Sequence, residues 1–461
     1  MAFEGYREAV DYLQRRLWHE LPIVPVERAL QHRVRQVLAH LGEPQRAFDV
    51  VHVGGSAGKG STAAIAASVL RAAGVRTGLY TSPHLQTFIE RIDVDGVLIA
   101  PERFAEIVLG LDPLVRQMHV DVLDGKGYGR PALVEVAFAA GMRHFADEGV
   151  QAAVVEVGLG GRTDCTNVFE AKRASVITNI EEEHRERLGW TIRSIAREKA
   201  AIIRAGDLAV TGTRQPEALT EIERRCDEVG AELWRLGREV RVRVRAADED
   251  GVVVDLKTPA VTVEGARVAL RGGHQARNAA LAVAATTARP IAGQCVTADD
   301  VRRGLAAVRV SARLERVQER PRVLLDGAHN PVEAQALVEE LARVEAARGR
   351  VHLVCGILAD KDQPAMARTL ARVASSVVVT APPLEERAGD PERLVTLFRR
   401  HLAAEVVTFE PRPQAALEAA LSRAGADDAV VVAGSMYLAG ALRGRWVAEE
   451  RILERRSTAL A

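Results

Sequence analysis

Lysine is scarce in this chain. Only six of the 62 basic residues are lysine (Lys59, Lys126, Lys172, Lys199, Lys257 and Lys361), so arginine serves wherever a generic positive charge suffices. A lysine kept at a motif position therefore carries more weight than usual. Cysteine is scarcer still. Cys165, Cys226, Cys295 and Cys355 lie far apart with no CxxC pair, which excludes a zinc framework and suits a reduced compartment. Net charge is also missing: Lys plus Arg and Asp plus Glu both total 62, a balance that argues against a nucleic-acid or membrane-surface binder. No apolar run approaches a membrane span, and the charged, amphipathic opening MAFEGYREAVDYLQRR is not built like a signal peptide. The expectation is a soluble, cytoplasmic monomer that works on small molecules, with no nucleic acid and no membrane as partner.

What is present is ample apolar material. At 461 residues and 48% apolar content, the chain can bury a large core and divides naturally into two or three domains. From about residue 45 the pattern runs strand, turn, helix, strand: Asp49 to Val53, a Gly-rich turn, an Ala-rich helical stretch from Ser61 to Ala73, then Arg76 to Tyr80. Further buried-strand runs lie at Ala152 to Val157, Ala174 to Asn179 and Leu208 to Thr211. Such alternation predicts a largely parallel sheet with helices on both faces. Residues 231–271 alternate differently and predict a small antiparallel appendage. A second α/β series begins near Val323, with strands at Val323 to Asp326, His352 to Cys355, Val377 to Thr380, Glu405 to Phe409 and Ala429 to Ala433, so a boundary is expected near residues 305–315.

The strongest local signal is Val51-His-Val-Gly-Gly-Ser-Ala-Gly-Lys-Gly-Ser-Thr62. Glycines let backbone N–H groups face phosphate oxygens, and the following helix N-terminus adds its dipole. Lys59 would reach the outer phosphates, and a hydroxyl from Ser61 or Thr62 would meet a metal or a phosphate. The strict Walker A spacing fails, because Gly60 separates Lys59 from Ser61. The bland alternative is a glycine-rich turn with no ligand, and the rarity of lysine weighs against it.

Three further segments place oxygen and imidazole groups at strand ends, where open α/β sheets bind ligands. They are Thr81-Ser-Pro-His-Leu85, Val155-Glu-Val-Gly-Leu-Gly-Gly-Arg-Thr-Asp164 and Ile177-Thr-Asn-Ile-Glu-Glu-Glu-His184. Taken singly, Glu156 or His184 would be a capping or surface residue. Together, after strands of the sheet that carries the phosphate loop, they favour magnesium, which takes one or two carboxylates and bridges to phosphates. Lys199, in Ile195-Ala-Arg-Glu-Lys-Ala-Ala-Ile-Ile203, would ordinarily be a solvated helix lysine, but the arginine bias argues for a specific role.

In this order, GSAGKGST, LYTSPHL, ERIDVDG, EVGLGGRTDCTNV, IAREKAAIIRAG, HQARNAAL, ARLERV and LLDGAHNP resemble the folylpolyglutamate synthase/dihydrofolate synthase family, the folate branch of the Mur ligase superfamily. The resemblance covers nearly the whole chain. It implies an α/β fold with a P-loop-containing, Mur-ligase-like domain over residues 1–308, including the appendage near 231–271, and a C-terminal Rossmann-like domain over 309–461. It implies that Gly58, Lys59, Gly60 and Ser61 hold ATP phosphates, and that Ser82, Glu156 and His184 hold magnesium, with two ions expected. It further implies that Lys199 is carbamylated, that Asn278, Arg313 and Asp326 contact ATP, and that His329 faces the incoming glutamate. Lys59, Lys199 and His329 would be the catalytic groups.

The chain departs from the family pattern at Ser56-Ala57-Gly58-Lys59, where Thr-Asn-Gly-Lys is usual, and at Glu182-Glu183-His184, where Leu-Asp-His is usual. Ile177-Thr-Asn-Ile180 leans toward peptidoglycan-type ligases, and the pterin-side segment reads Val134-Glu135-Val136-Ala137-Phe138. The implied reaction activates a folate or dihydropteroate carboxylate as an acyl phosphate and joins it to L-glutamate. The rivals are a Mur-type ligase on a non-folate acceptor and a P-loop nucleotide switch without ligase chemistry. A dinucleotide oxidoreductase is weaker, because no GxGxxG follows the first strand.

Overall fold

The computed structural model describes residues 3–18, 26–123, 127–345 and 348–460. Strands β1 (Asp49–Gly54), β2 (Thr77–Tyr80), β3 (Ile92–Val94), β4 (Val97–Leu98), β5 (Ala152–Glu156), β6 (Ala174–Ile177), β7 (Leu208–Thr211) and β8 (Glu232–Arg235) make one sheet, ordered β4-β3-β2-β5-β1-β6-β7-β8. From β2 to β8 every pairing is parallel. Only β3 runs against the rest, pairing antiparallel with both β2 and β4, and it joins β4 at Asp95-Gly96, both with positive φ, the residue pair a two-residue hairpin demands.

The parallel strands are uniformly apolar because helices cover both faces. On β5, Ala153 and Val155 enter the core shared with helix Leu133–Asp147, whereas Ala152 and Val154 enter the core shared with helices Lys59–Ala72 and His274–Thr287. The last two helices are rich in alanine, which lets them sit close to the sheet and to each other. The expected strands of this region lie within two residues of their observed limits.

The appendage is smaller than the sequence suggested. Strands β9 (Arg241–Asp248), β10 (Gly251–Lys257) and β11 (Thr262–Val268) form an antiparallel sheet of their own. Glu232–Arg235 instead extends the main sheet in parallel with β7, because it follows a helical crossover (Pro216–Val229) and buries Trp234. A tight turn, with Val240 N donating to Arg235 O at 3.0 Å, separates the two.

The third sheet comprises β12 (Glu315–Glu319), β13 (Arg322–Leu325), β14 (Val351–Cys355), β15 (Ser376–Val379), β16 (Val407–Phe409) and β17 (Ala429–Ala433), ordered β12-β13-β17-β14-β15-β16. All but β12 are parallel. Among the described residues, no helix is long and apolar enough to cross a membrane.

The three sheets are tied by arginines. Arg343 Nη1 donates to Ala247 O at 2.6 Å, and Arg348 Nη1 lies 2.7 Å from Glu249 Oε2 at the β9–β10 turn. Glu345 is buried and accepts from Arg271 Nη2 at 2.7 Å and Arg322 Nε at 2.6 Å. Removing the shared carboxylate would strand two cations, one of which (Arg271) already has buried Nε and Nη1 atoms without partners. Breaking such a buried network costs about 3–5 kcal/mol. Glu345→Ala is therefore expected to lower the unfolding free energy from urea titration by an amount of that order, and an unchanged midpoint and slope would show that the network contributes nothing.

Candidate active site

β1 ends at Gly54, and the chain then turns through Gly55–Gly58 into helix Lys59–Ala72. Two positions require glycine. Gly55 has φ 135° and its missing side chain leaves room for the Thr178 hydroxyl, while Gly58 caps the helix with φ 78° and a Cβ there would stand 2.6 Å from Asn278 Oδ1. The loop carbonyls are all committed. Gly55 O accepts from Lys199 Nζ at 2.8 Å, Ser56 O from Lys59 Nζ at 3.1 Å, and Ala57 O from Thr178 Oγ1 at 2.7 Å. Ser56 N donates to Asn179 O at 3.0 Å and Ala57 N to Asn179 Oδ1 at 2.8 Å. Asn179 thus supplies a polar side chain to the loop whose own position 57 is alanine.

On the carboxylate side, buried Glu156 stands at the end of β5 and its Oε2 accepts from Ser82 N at 2.9 Å. It faces the start of the loop helix, since a Cβ on Gly60 would lie 3.5 Å from both carboxylate oxygens. Burial pushes the Glu156 carboxyl up, and Lys59, the Ser82 N–H and Arg313 pull it back. Lys199 is only 2% exposed, with Nζ 2.7 Å from Glu183 Oε1. Burial draws its ammonium down to about 8, against the upward pull of Glu183. His184 begins the short helix Arg185–Leu188 in a left-handed conformation, φ 44°. Although its surface is largely exposed, desolvation of the ring and then the charge of Lys361 push it down to about 4.

The structure joins Ser82 to Glu156 and Lys199 to Glu183, and no hydrogen bond connects His184 to either pair among the described residues. Nor does any group of three or more His, Cys, Asp or Glu there form a ready cation cage. A buried carboxylate beside a hydroxyl at the phosphate end of a nucleotide loop still suits magnesium, which keeps waters and takes phosphate oxygens.

The C-terminal sheet supplies the opposite wall. Arg313 sits between Ala312 and Leu314, both with φ 51°, a backbone state that costs free energy and needs fixing from outside. Three bonds fix it: Ala312 N to Glu315 Oε2 at 2.9 Å, Leu314 N to Asp326 Oδ2 at 2.8 Å, and Gly327 N to Ala312 O at 2.8 Å. Burial pushes Asp326 up to about 6, opposed by Arg313. His329 Nδ1 lies 3.0 Å from Gly327 O and 3.1 Å from Glu333 Oε2. Burial raises Glu333, yet His329 and Arg313 outweigh it and hold that carboxyl well below its ordinary range.

Between the walls lies a cavity of about 240 Å³. Of the residues singled out in the sequence, Gly58, Ser61, Asn278, Arg313 and Asp326 line it, and Lys59, Gly60, Ser82, Glu156, His184, Lys199 and His329 are not in its described lining. Sequence reading missed Asn179, Glu181, Gln215, Arg277 and Glu333, which also line it. Arg277 adjoins Asn278 in HQARNAAL and Glu333 follows LLDGAHNP, so proximity to the motifs was the available signal.

Sequence reading also missed a clamp. Arg443 is fully buried, places Nε and Nη2 within 3.0 Å of the Glu315 carboxylate, and donates from Nη1 to Gln86 Oε1 at 2.7 Å. It ties the Arg313 linker to the loop that carries Ser82. The pterin-side expectation fares differently. Phe138 is a core residue, with ring centroids 5.4 Å from Tyr80 and 6.1 Å from Phe169, and Glu135 is buried against Arg33 at 3.2 Å. Only Val134 reaches the surface.

Residues 132–286 match the Mur ligase middle domain and residues 312–436 the Mur ligase, glutamate ligase domain. The chain is 36% identical to the dihydrofolate synthase/folylpolyglutamate synthase of Mycobacterium tuberculosis, over 94% of this chain and 92% of that one. It is 35% identical to a probable bifunctional folylpolyglutamate synthase/dihydropteroate synthase of Haloferax volcanii over 96% of its own length, but spans only 50% of that longer protein. The structure superposes on Mycobacterium tuberculosis folylpolyglutamate synthase complexed with ADP with a TM-score of 0.86 and 32% identity, covering 95% of this chain and 98% of that one. A phosphate loop facing an arginine linker across one cavity, and relatives matched nearly end to end, lead to one assignment: the chain belongs to the folylpolyglutamate synthase/dihydrofolate synthase family of Mur ligases.

Proposed function

We propose that this protein is an ATP-dependent, ADP-forming ligase that joins a folate or dihydropteroate carboxylate to L-glutamate. The observation that carries the reading is the single cavity lined by Gly58, Ser61 and Asn278 from one side and by Arg313 and Asp326 from the other. A nucleotide there touches both α/β units, and a relative binds ADP. We place the boundary between these units at residues 308/309, and read the protein as a cytoplasmic monomer acting on small molecules, in keeping with its balanced charge.

A free carboxylate is a poor acyl donor. Its oxygen attacks the γ-phosphorus of ATP, the bond to the β-phosphate oxygen breaks, and ADP leaves. The amine of glutamate, having lost its proton, then attacks the acyl carbon, and the tetrahedral intermediate expels phosphate. Phosphoryl transfer of this kind calls for positioning and charge neutralisation. Lys59, now resting on Ser56 O, is one swing from the phosphates, and Gly58, Gly60 and Ser61 present the helix N-terminus to them. Arg313 and Asn278 hold the nucleotide, Asp326 fixes the arginine linker, and His329, oriented by Glu333, faces the glutamate. Magnesium, held by Ser82, Glu156 and His184, with two ions present, would neutralise phosphate oxygens.

The carbamate of Lys199 is the finer part of the proposal. Burial supports it, because an amine drawn down to about 8 loses its proton more readily than an exposed lysine. A ligase with a different acceptor is the second reading, favoured by the exposed Val134 at the start of helix Leu133–Asp147.

Three outcomes test these statements. ADP release should be sustained only with both a carboxylate substrate and glutamate, and should be fastest with dihydropteroate or a reduced folate. A muropeptide precursor serving better would transfer the assignment to the second reading, and equal rates without any acceptor would leave a nucleotide switch.

Glu156→Gln keeps the Ser82 contact and relieves a buried charge. It should lower kcat by about 100-fold or more and raise the magnesium requirement while the thermal midpoint holds or rises. Near-normal turnover at ordinary magnesium would remove Glu156 from the site.

Isotope-labelled bicarbonate should give a carbamate carbon resonance in the wild type that is absent from Lys199→Arg, and excess short-chain carboxylate should partly restore Lys199→Ala turnover. No resonance under turnover conditions means that Lys199 acts as an amine.

A further inference from the structure

A second cavity, of about 320 Å³, opens beside the C-terminal end of helix Ile192–Ala200 and shares no lining residue with the nucleotide cavity. Its described lining carries five guanidinium groups, Arg162, Arg197, Arg204, Arg224 and Arg225, against one carboxylate, Glu228. Three of the five are ion-paired to two carboxylates outside the cavity lining. Arg162 Nε lies 2.8 Å from Glu198 Oε1, while Arg197 and Arg224 share Glu221 at 3.2 and 3.0 Å. Glu228 is itself held by Arg224.

Among the described residues Arg204 has no ion-pair partner, and Arg225 has only a long one in Glu228. Arg204 Nη2 donates to Asn167 O at 3.3 Å and to Asn167 Oδ1 at 3.1 Å, and Arg225 donates from Nε and Nη2 to Ile203 O at 3.1 and 2.9 Å. The carboxylate nearest Arg225, Glu228, stands 3.8 Å from its Nη1, beyond hydrogen-bond range. A guanidinium has five N–H donors. Arg204 Nε is without an acceptor, and neither Nη1 makes a hydrogen bond among the described residues. Burial and then Arg35 push Arg204 below its ordinary value, and burial and then Arg204, Arg162 and Arg224 do the same to Arg225. Five guanidinium groups, paired among the described residues with only Glu198, Glu221 and Glu228 and left with idle donors around a cavity, carry a cost that a bound anion would reduce.

We propose that this cavity is a binding site for a small oxyanion carrying two or more negative charges, gripped between Arg204 and Arg225. Phosphate and carboxylate oxygens match the guanidinium fork in the same way, so the chemistry admits inorganic phosphate and the carboxylates of a short γ-glutamyl chain. The oxyanion site stands without the ligase reading; only its assignment to a glutamyl chain rests on that reading. Occupancy would be felt at the active site, because Ala200 and Ala201 in the lining directly follow Lys199, and Arg162 closes the turn after Glu156.

The test is calorimetric titration of the full chain, saturated with ADP to occupy the phosphate loop, at constant ionic strength. The two probes are inorganic phosphate and tri-γ-glutamate. Saturable binding of at least one probe is expected, with affinity about ten-fold or more weaker in Arg204→Gln/Arg225→Gln, while ADP affinity is retained. If the double variant fails to fold, Arg225→Gln, whose removed bonds reach only Ile203 O, takes its place. Tighter binding of tri-γ-glutamate assigns the site to a product tail, and tighter binding of phosphate to the free ion. Absence of saturable heat from both probes, or equal affinity in the variant, overturns the proposal. Oxyanion binding without folate-dependent ADP release would sink the ligase reading alone.

Discussion

A phosphate loop works only if its peptide units are held in one shape, and here that shape is set by groups from outside the loop. In Gly55–Ala57 each carbonyl accepts a side-chain donor, from Lys199, Lys59 and Thr178 in turn. The donors come from helix Ile192–Ala200, the loop's own helix and the end of β6. The neighbouring strands therefore have to run parallel, so that their C-terminal ends and the helix that follows converge on one edge. Asn179 adds two further bonds to the same backbone. Much of the sheet order can be read as a means of delivering these groups to three consecutive peptide units.

The C-terminal unit faces a different demand, since it must present one arginine across a gap. Two left-handed non-glycine residues flanking Arg313 would not persist in a free linker. Glu315 and Asp326 hold them by accepting their N–H groups. Glu315 then uses both oxygens on Arg443, whose remaining nitrogen reaches Gln86 in the segment after Ser82. One carboxylate thus couples the nucleotide-facing arginine to the segment that touches Glu156. Any shift of the C-terminal unit would therefore be felt by the segment that carries Ser82.

The sequence made the strands of both parallel sheets legible, because buried parallel strands are short apolar runs bounded by turns. It also pointed to the cavity-lining residues Gly58, Ser61, Asn278, Arg313 and Asp326 through quoted motifs. It misplaced Glu232–Arg235, since a four-residue edge strand and the first strand of a hairpin sheet look alike until their partners are known. The hairpin at Asp95-Gly96 was open to reading from its turn dipeptide and was passed over. Glu315, Gln86 and Arg443 were invisible as a set, because nothing local announces that a glutamate, a glutamine and an arginine hundreds of residues apart share hydrogen bonds. In the pterin-side segment Val134–Phe138, the helix period turned Phe138 into the core and left Val134 at the surface.

Lys199 shows how tightly the local charges are coupled. As an ammonium it spends two of its three donors, on Gly55 O and on Glu183, at 2.8 and 2.7 Å. Conversion to a carbamate would reverse its charge, release the Gly55 carbonyl and bring a second anion against Glu183. Two adjacent anions in a buried site are unfavourable unless a cation enters between them. Carbamylation of Lys199, if it takes place as proposed, would therefore be linked to the loading of a divalent ion, and the phosphate loop would belong to the same equilibrium through Gly55, whose carbonyl Lys199 holds from behind.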